Sequence, residues 1–392
     1  MKILAVSYDV PHPDQSSGEL RFYTLLSLLA QSHEVSFFSK DQQAASELDT
    51  AAERLSQLGI RIEKGNFVNL LRRANFDVVF FEFYFVAEDL LDLVRIWRPS
   101  ARIIVDSVDV HFHRLRSKAR LTRLLADRDH AEMVRNCEMD IYEKADLVLT
   151  VSEEDGRVLR DEGLKGDIDV IPNIHDIHPL VPHVWSGKLE LIFVGSYKWA
   201  PNIDAMLYFR QEVLPLLRQK VPRFRLRIVG SAPTDDIKAL VSEDVEVVGF
   251  VEETAPYLLS SDISIAPLRY GGGIKGKVGE AQAHGLPVVT TSIGAEGFGF
   301  NVGTDVLVGD TPQAFVDAIA SLWQDNDLYD RVRKNGWNYI NTRYSVDAVD
   351  HLIAPIFERL ATCRVKRISL IDRIKILAPH YLDKHVLWRF KE

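Results

Sequence analysis

Short apolar runs alternate with amphipathic stretches along almost the whole chain of 392 residues. Runs rich in Val, Ile, Leu and Phe that are bounded by polar turn residues are typical of buried strands in parallel sheets. The strands predicted in this way are Lys2–Ser7, Glu34–Ser39, Val78–Phe81, Arg102–Asp106, Leu147–Val151 and Asp169–Ile171 in the first half, and Leu189–Gly195, Arg225–Val229, Val245–Val248, Ile263–Ala266 and Val288–Thr291 in the second. The pattern predicts an α/β protein with parallel sheets.

Apolar positions at helical spacing predict a second set of elements between these strands. The predicted helices are Gly18–Gln31, Asp41–Leu58, Ser117–Ala145, Asn202–Val213, Asp235–Val241 and Ile274–His284. We expect Gly285 to end the last of these helices in a left-handed conformation, because a glycine there is followed closely by Pro287.

The stretch between the two halves, residues 173–187, is rich in Pro and His and follows neither period. Such a stretch is typical of a linker, and the chain length is typical of two domains. We therefore predict a first domain over residues 1–172 and a second over residues 188–343. Two doubly wound domains joined in this way place a cleft between the carboxyl ends of their sheets, where such folds bind ligands.

Composition and charge exclude several classes of protein. With 46% hydrophobic and 26% charged residues and a net charge of −9, the chain is typical of a globular protein and offers no basis for nucleic-acid binding. Cys137 and Cys363 indicate neither a disulfide framework nor a metal site. No run of about 20 apolar residues is present to span a membrane, and the apolar run after Met1 is too short for a signal peptide, so we expect a cytoplasmic protein.

A glycine-rich loop at the start of a predicted helix carries the clearest chemistry. Gly271, Gly272 and Gly273 allow the backbone to approach a ligand closely. The N–H groups and positive dipole end of the following helix suit a phosphate, and Lys275 and Lys277 add two full charges there. The loop therefore predicts an anion site.

Glu280 lies one turn after Lys277 on the same helix face, where its carboxylate can accept hydrogen bonds from the paired hydroxyls of a ribose. The alternative is an ordinary flexible turn with solvated lysines. The buried strand that follows, and a second tight turn at residues 294–297, favour a nucleotide-diphosphate site.

Residues 272–289 resemble the donor-site motif of the retaining GT-B glycosyltransferases of family 4, G-G-x-x-x-K-x-x-E-A-x-A-x-G-x-P-V-V. The matching residues are Gly272, Gly273, Lys277, Glu280, Ala281, Ala283, Gly285, Pro287, Val288 and Val289. The resemblance extends from Met1 to about Leu360. It implies two Rossmann-like domains and a hexosyltransferase that moves a sugar from a nucleotide-diphosphate sugar to a glycan or lipid-linked acceptor in polysaccharide or lipopolysaccharide synthesis.

The resemblance also assigns residues on both sides of the cleft. Gly18 belongs to a first glycine loop that approaches the donor phosphates, although an ordinary serine-capped connection is the alternative. His111 would contact the transferred sugar or the acceptor, and a neutral imidazole can take a hydroxyl proton, with Asp109 as the competing base. The backbone of Gly249 and Val251 would meet the nucleobase, unless these residues only pack the strand end.

Two positions depart from the family pattern. Relatives commonly carry an Arg and a Lys after the glycine that corresponds to Gly195, whereas here only Lys198 is available. We expect Lys198, or the pair Lys275 and Lys277, to replace those cations. Gly272 occupies the place of a second glutamate, so the backbone amides from Gly271 to Ile274 are expected to recognise the sugar.

The resemblance implies neither a metal nor a cofactor. The two lysines and the loop amides can stabilise the departing diphosphate, and no Asp-x-Asp sequence of the metal-binding kind follows a strand. It also implies that a late helix, Tyr344–Leu360 within residues 344–362, crosses back onto the first domain.

Two basic segments predict contact with a membrane, and the departures from the family pattern leave alternative functions open. Arg114–Arg123 and the tail Arg364–Glu392, part of a basic amphipathic segment at residues 363–392, combine positive charge with apolar side chains. We expect peripheral contact with the anionic inner face of the cytoplasmic membrane; a solvated helix face and a packed tail are the alternative. Two other functions stay open: a nucleotide-sugar epimerase of the same fold, and a catalytically silent partner subunit.

Overall fold

A computed structural model describes residues 1–42, 50–363 and 365–369, together with residues 371, 373, 374 and 376. Most of the predicted basic tail, Arg364–Glu392, and residues 43–49 of the predicted helix Asp41–Leu58 lie outside the described residues. The described residues form two separate parallel sheets, one in each half of the chain.

The first sheet has seven strands in the order β3-β2-β1-β4-β5-β6-β7. Its strands are β1 Lys2–Ser7, β2 Glu34–Ser39, β3 Arg61–Glu63, β4 Val78–Glu82, β5 Arg102–Asp106, β6 Leu147–Thr150 and β7 Asp167–Val170. The helices of this half are α1 Ser17–Ala30, α2 Thr50–Gln57, α3 Phe67–Arg73, α4 Tyr84–Trp97, α5 His111–Thr122, α6 Leu125–Lys144 and α7 Glu153–Asp161. The strand order reverses between β1 and β4, and loops meet at that switch point.

The second sheet has six strands in the order β10-β9-β8-β11-β12-β13. Its strands are β8 Leu189–Val194, β9 Phe224–Val229, β10 Val245–Gly249, β11 Ile263–Ala266, β12 Val288–Thr290 and β13 Leu307–Val308. The helices are α8 Ala200–Tyr208, α9 Leu214–Lys220, α10 Asp235–Lys238, α11 Ala255–Leu259, α12 Gly276–Ala283, α13 Ser292–Ala295, α14 Pro312–Gln324, α15 Asn326–Tyr344 and α16 Val346–Thr362, with a π-helical turn at Phe209–Val213. The switch point here lies between β8 and β11.

Several predicted element bounds were wrong for identifiable reasons. The predicted helix Ser117–Ala145 is two helices, α5 and α6, because Arg123 adopts a left-handed conformation between them. The predicted helix Asn202–Val213 begins at Ala200 and continues through the π-helical turn into α9. The predicted strand Asp169–Ile171 lies at β7, Asp167–Val170. The edge strands β3 and β13 are too short to leave an apolar pattern in the sequence.

Helix α16 packs against the first half of the chain. Its buried residues Val349, Ile353 and Phe357 join a core cluster with Ile3 and Phe37 of the first sheet. The final described helix therefore covers the first sheet although it follows the second in sequence. The domain boundaries predicted from the sequence stay predictions.

Among the described residues, no helix combines the length and the apolar character needed to cross a membrane.

Candidate functional site

The glycine-rich loop lies directly against the first half of the chain. A Cβ atom on Gly272 would come within 2.7 Å of Arg114 Cβ and 2.9 Å of Asp109 Oδ1. Gly273 has a positive φ of 60° and also approaches Asp109. Gly271 donates its N–H to Ser117 Oγ at 3.4 Å. The glycines therefore allow the loop to contact α5, a role that the sequence did not indicate.

Helix α12 begins at Gly276, two residues later than the predicted start at Ile274. A Cβ on Gly276 would lie 2.2 Å from Ser17 Oγ at the start of α1. Gly285 has a φ of 72°, so it ends the helix region in the predicted left-handed conformation. The first turn of α12 and the start of α1 therefore face each other closely.

Gly18 lies in the first turn of α1, and Ser16 caps the helix by accepting the N–H of Glu19 at 3.2 Å. A Cβ on Gly18 would meet only Val108 Cγ1 at 3.5 Å and Ser16 Oγ at 3.9 Å, which is ordinary contact. Within α1, it is Ser17 rather than Gly18 that approaches the start of α12. The phosphate role of Gly18 stays a prediction.

The Lys275 side chain is buried and held on the inner side of the loop. Its Nζ donates to Gly273 O at 2.6 Å and to Glu296 Oε2 at 2.9 Å. An ammonium has a third N–H, and these two contacts fix its direction. Lys275 is thus a rigidly oriented cation beside the loop amides.

The direct contacts of the Lys277 ammonium are with neutral groups, although the charge of Glu280 also acts on it. Its Nζ donates to Asn202 Oδ1 at 2.5 Å and lies 5.1 Å from the centre of the Phe193 ring. Burial and the nearby charge of Lys275 lower the pKa of Lys277 to about 8. A bound phosphate would supply the negative charge that this ammonium lacks.

Glu280 lies one turn further along α12 and is partly buried. It accepts a hydrogen bond from Thr254 Oγ1 at 2.5 Å, and burial raises its pKa. Lys275 is therefore the N-cap of α12, and Lys277 and Glu280, the two charged residues that the motif requires, lie within the first five residues of the helix. Their roles toward a ligand stay predictions.

His111 begins α5 and makes contacts that favour its charged form. Its Nδ1 lies 2.9 Å from Asp109 O and 3.5 Å from Glu138 Oε1, and its backbone N–H donates to the same buried Glu138 carboxylate at 3.0 Å. Burial by itself lowers the pKa of His111, but the contact with Glu138 and the charge of Asp109 raise it on balance. A raised pKa suits a hydrogen-bond donor better than a general base, so the base role stays a prediction.

Asp109 is paired with Arg114, whose Nε donates to its Oδ2 at 2.6 Å. Burial raises the pKa of Asp109, but Arg114 and His111 lower it on balance. Its other oxygen, Oδ1, is buried beside Gly272 without a hydrogen-bond partner in the described part of the chain. An unpaired carboxylate oxygen at this point can accept a hydrogen bond from a ligand hydroxyl.

The remaining residues predicted to contact the donor lie further from the glycine-rich loop or serve the packing of the second domain. Lys198 is exposed on the loop before α8, whereas its neighbour Trp199 lies 5.4 Å from the Arg114 guanidinium across the cleft. Gly249 ends β10 with a φ of 82° and accepts the N–H of Gly230 at 2.7 Å. Val251 packs against the apolar cluster that contains Val278 of α12. In the described part of the chain, the exposed Lys198 side chain makes no hydrogen bond or ion pair with the glycine-rich loop.

Two residues with strained backbone conformations flank the site, and no local sequence pattern indicated them. Phe83 follows β4 with a φ of 66°, and Val108 follows β5 with a φ of 52°. Positive φ is costly for bulky or β-branched residues, and such strain concentrates at functional sites. The rings of Phe83, Tyr84 and Phe85 surround His111 at centroid distances of 5.9, 5.3 and 5.9 Å.

A second-domain carboxylate, Glu296, joins the two sides of the cleft. It lies 3.3 Å from His113 Nε2 and 2.9 Å from Lys275 Nζ, and the next residue, Gly297, donates its N–H to Glu154 Oε2 at 3.0 Å. The sequence predicts the tight turn at residues 294–297 but indicates no role for its glutamate. The sequence did contain one indication of a functional role for Glu296, because a charged residue stands there between two glycines in a loop that follows a parallel strand.

The described residues contain no group of three or more His, Cys, Asp or Glu side chains arranged to hold a metal ion. Metal independence and the absence of a cofactor nevertheless stay predictions.

Comparison with known proteins agrees with this architecture. Residues 188–325 match the family model described as Glycosyl transferases group 1. An uncharacterised 44.6 kDa protein from the cps region of Klebsiella pneumoniae is 22% identical over 381 residues, covering 88% of this chain and 96% of that protein.

Solved structures share the fold over nearly the full length. Sucrose-phosphate synthase from Thermosynechococcus elongatus is 16% identical with a TM-score of 0.70, covering 92% of this chain and 99% of that one. Anabaena HepE in complex with UDP and glucose is 16% identical with a TM-score of 0.65, covering 92% and 100%. The predicted fold class is confirmed: the chain has the GT-B fold, and its second domain carries the match to the group 1 glycosyl transferases.

Proposed function

We propose that the chain is a retaining glycosyltransferase of the hexosyltransferase type that needs no metal. It moves a sugar from a nucleotide-diphosphate sugar to a hydroxyl of a glycan or lipid-linked acceptor. The acceptor oxygen bonds to the anomeric carbon on the face from which the diphosphate leaves, so the configuration is retained. The acceptor's proton passes to a base or to the departing phosphate oxygen.

One observation carries this proposal: two lysines, the glycine-loop amides and a carboxylate share the first turns of α12 at a sheet switch point. Lys275 and Lys277 would neutralise the diphosphate as it departs, which is where charge develops in the transition state. Glu280 would bind the ribose hydroxyls. His111 and Asp109 lie on the opposite wall, where the sugar or acceptor would be held.

The comparisons support the donor class and the biological setting. Anabaena HepE was solved in complex with UDP and glucose, and Staphylococcus aureus TarM in a complex that contains UDP, which favours a UDP-type donor here. The relative from a cps region favours a role in cell-surface polysaccharide synthesis.

A lipid-linked acceptor fits a peripheral membrane position, and the ion pairs of the basic segment favour one part of it as the point of contact. Within Arg114–Arg123, Arg114 pairs with Asp109, and Arg116 and Lys118 pair with acidic residues of their own half of the chain. The exposed apolar residues lie at the end of the α5–α6 pair, at Leu121, Leu124 and Leu125. We propose that this tip, residues 120–125, meets the membrane rather than the whole basic segment.

The donor role is tested by calorimetry with UDP and GDP, combined with a Glu280→Gln variant. Loss of a charged hydrogen bond to the ribose should weaken binding of the preferred nucleotide about tenfold. The same nucleotide without its 2′ and 3′ hydroxyls should bind the wild type more weakly and should not discriminate between wild type and variant. Glu243→Gln removes an exposed carboxylate elsewhere in the second domain and serves as the control.

Three outcomes would contradict the proposal. Binding of neither nucleotide favours a silent partner subunit. Equal affinity of Glu280→Gln and wild type removes the ribose role. Conversion of a donor sugar in the absence of any acceptor favours the epimerase.

A further inference from the structure

Glu296 contacts charged or titratable side chains from both halves of the chain. It follows α13 at the carboxyl end of the second sheet, and its side chain is 18% exposed. One carboxylate oxygen accepts a hydrogen bond from Lys275, and the other lies 3.3 Å from His113 of α5. A single carboxylate therefore joins the donor loop to the opposite half of the chain.

The turn that carries Glu296 is itself fixed to the first half. Gly297 has a φ of 83° and donates its N–H to Glu154 of α7 at 3.0 Å. A Cβ on Gly297 would lie 3.5 Å from Ser152, the residue that caps α7. The position of Glu296 thus depends on how closely the two halves approach.

A carboxylate beside a diphosphate site is costly for anion binding, because like charges repel. The repulsion between Glu296 and a bound diphosphate must therefore be offset by another effect of this carboxylate. Glu296 takes one N–H of Lys275, and Gly273 O takes another, so the third points in one direction only. The carboxylate also gives His113 a partner across the cleft.

The charges around this contact are mutually reinforcing. The contact with Glu296 is the main reason that the pKa of His113 is raised. Burial raises the pKa of Glu296, but His113 and Lys275 outweigh it and lower that pKa to about 2. Asp155 also faces this group, and burial raises its pKa to about 7.

We propose that Glu296 is a positioning residue that aims Lys275 at the donor diphosphate only when His113 brings the two domains together. The inference rests on the proposed function. It adds that closure and orientation of the cation are coupled through one carboxylate, so binding of nucleotide and transfer of sugar respond differently to its loss.

The kinetic test compares Glu296→Gln with the wild type in acceptor-dependent turnover and in UDP binding. A small displacement of a catalytic group can lower the reaction rate strongly. We therefore expect kcat to fall about tenfold or more when the Lys275 ammonium is no longer held in its direction. UDP affinity should stay equal or become tighter, since a repelling charge is removed. His113→Gln should lower kcat similarly without altering the Lys275 partners, and Glu243→Gln should behave as the wild type.

A titration test needs no donor and therefore separates this inference from the proposed function. In nucleotide-free protein, the NMR titration midpoint of the His113 ring should fall in Glu296→Gln, because the negative partner is gone. An unchanged midpoint, or equal losses of UDP affinity and kcat, would overturn the positioning role. If the wild type turned over no nucleotide sugar, the proposed function would be contradicted instead. The titration would still show whether His113 and Glu296 interact.

Discussion

Two lysines on the same turn of α12 differ in the groups that surround them. Lys275 has the carboxylate of Glu296 as a partner, whereas Lys277 has an amide oxygen and the face of an aromatic ring. Burial and the charge of Lys275 lower the pKa of Lys277 to about 8. An ammonium in this position is charged below that pH and neutral above it, and a bound phosphate favours its charged form.

This difference predicts that nucleotide affinity depends on pH. From pH 7.5, where the nucleotide phosphates are already ionised, to pH 9, UDP binding should weaken about tenfold, because Lys277 must regain a proton to bind. Calorimetry in buffers of different ionisation enthalpy should detect that proton uptake.

Lys277→Met is the matched variant for this measurement. It should bind UDP more weakly at pH 7.5 and lose the pH dependence above it. A wild-type affinity that stays constant up to pH 9 would contradict the role of Lys277.

The start of α12 shows why one element cannot be understood without its neighbour. Gly276 begins the helix, and its Cα faces Ser17 at the start of α1. An isolated helix would tolerate alanine at this position better than glycine. The requirement for glycine comes from the contact between the two helices.

We therefore predict that Gly276→Ala separates α12 from α1 and lowers turnover. The added Cβ would lie 2.2 Å from Ser17 Oγ and 2.5 Å from Ser17 Cβ, which no side-chain rotation of alanine can relieve. We expect kcat to fall about tenfold because the reacting groups are displaced.

Ser17→Gly removes both clashing atoms and leaves the cap at Ser16 intact. The double variant should recover most of the turnover, and Ser17→Gly alone should stay near the wild type. A double variant as impaired as Gly276→Ala would mean that the alanine disturbs the ligand rather than the domain contact.

Across the molecule, the chain segments that connect the two halves are held on the first sheet. Arg21 of α1 is fully buried, where it pairs with Asp106 and donates to Ile171 O at 2.8 Å and Pro172 O at 3.2 Å. It therefore fixes the chain where it leaves the first sheet. Helix α16 returns to the same sheet, so the segments entering and leaving the second domain both rest on the first.

The tip of the α5–α6 pair predicts how the protein would meet a membrane. Leu124 and Leu125 are 59% and 76% exposed, next to the basic residues Arg120 and Arg123. Because burying each leucine is worth about 1.5–3 kcal/mol, Leu124→Glu combined with Leu125→Glu should reduce binding to phosphatidylglycerol vesicles at least about tenfold.

Val302→Glu changes another exposed apolar residue, in the second domain, and should leave vesicle binding unaltered. Sedimentation with vesicles measures the binding, and thermal unfolding should show that both variants remain folded. Vesicle binding by the tip variant equal to that of Val302→Glu would contradict the membrane role of the tip.

Local sequence patterns determined most of the architecture. Apolar runs identified the longer strands, such as β1 and β5, because a parallel strand buried on both faces must be almost wholly apolar. The motif from Gly272 to Val289 identified helix α12 and its charged residues, because their spacing along one helix is a local property. The break between α5 and α6 could not be predicted, since a left-handed Arg123 leaves no compositional trace.

Only the tertiary structure decided which groups meet across the cleft. Glu296 and His113 are separated by 183 residues, and nothing local distinguishes this glutamate from a solvated one. The same is true of the close approach of Gly276 to Ser17. The sequence thus determined most of the elements and the helix that carries the predicted anion site, because these depend on periodicity and local conformation. The partners of its charged groups depend on how two separately formed sheets approach each other, and that distance is set by packing.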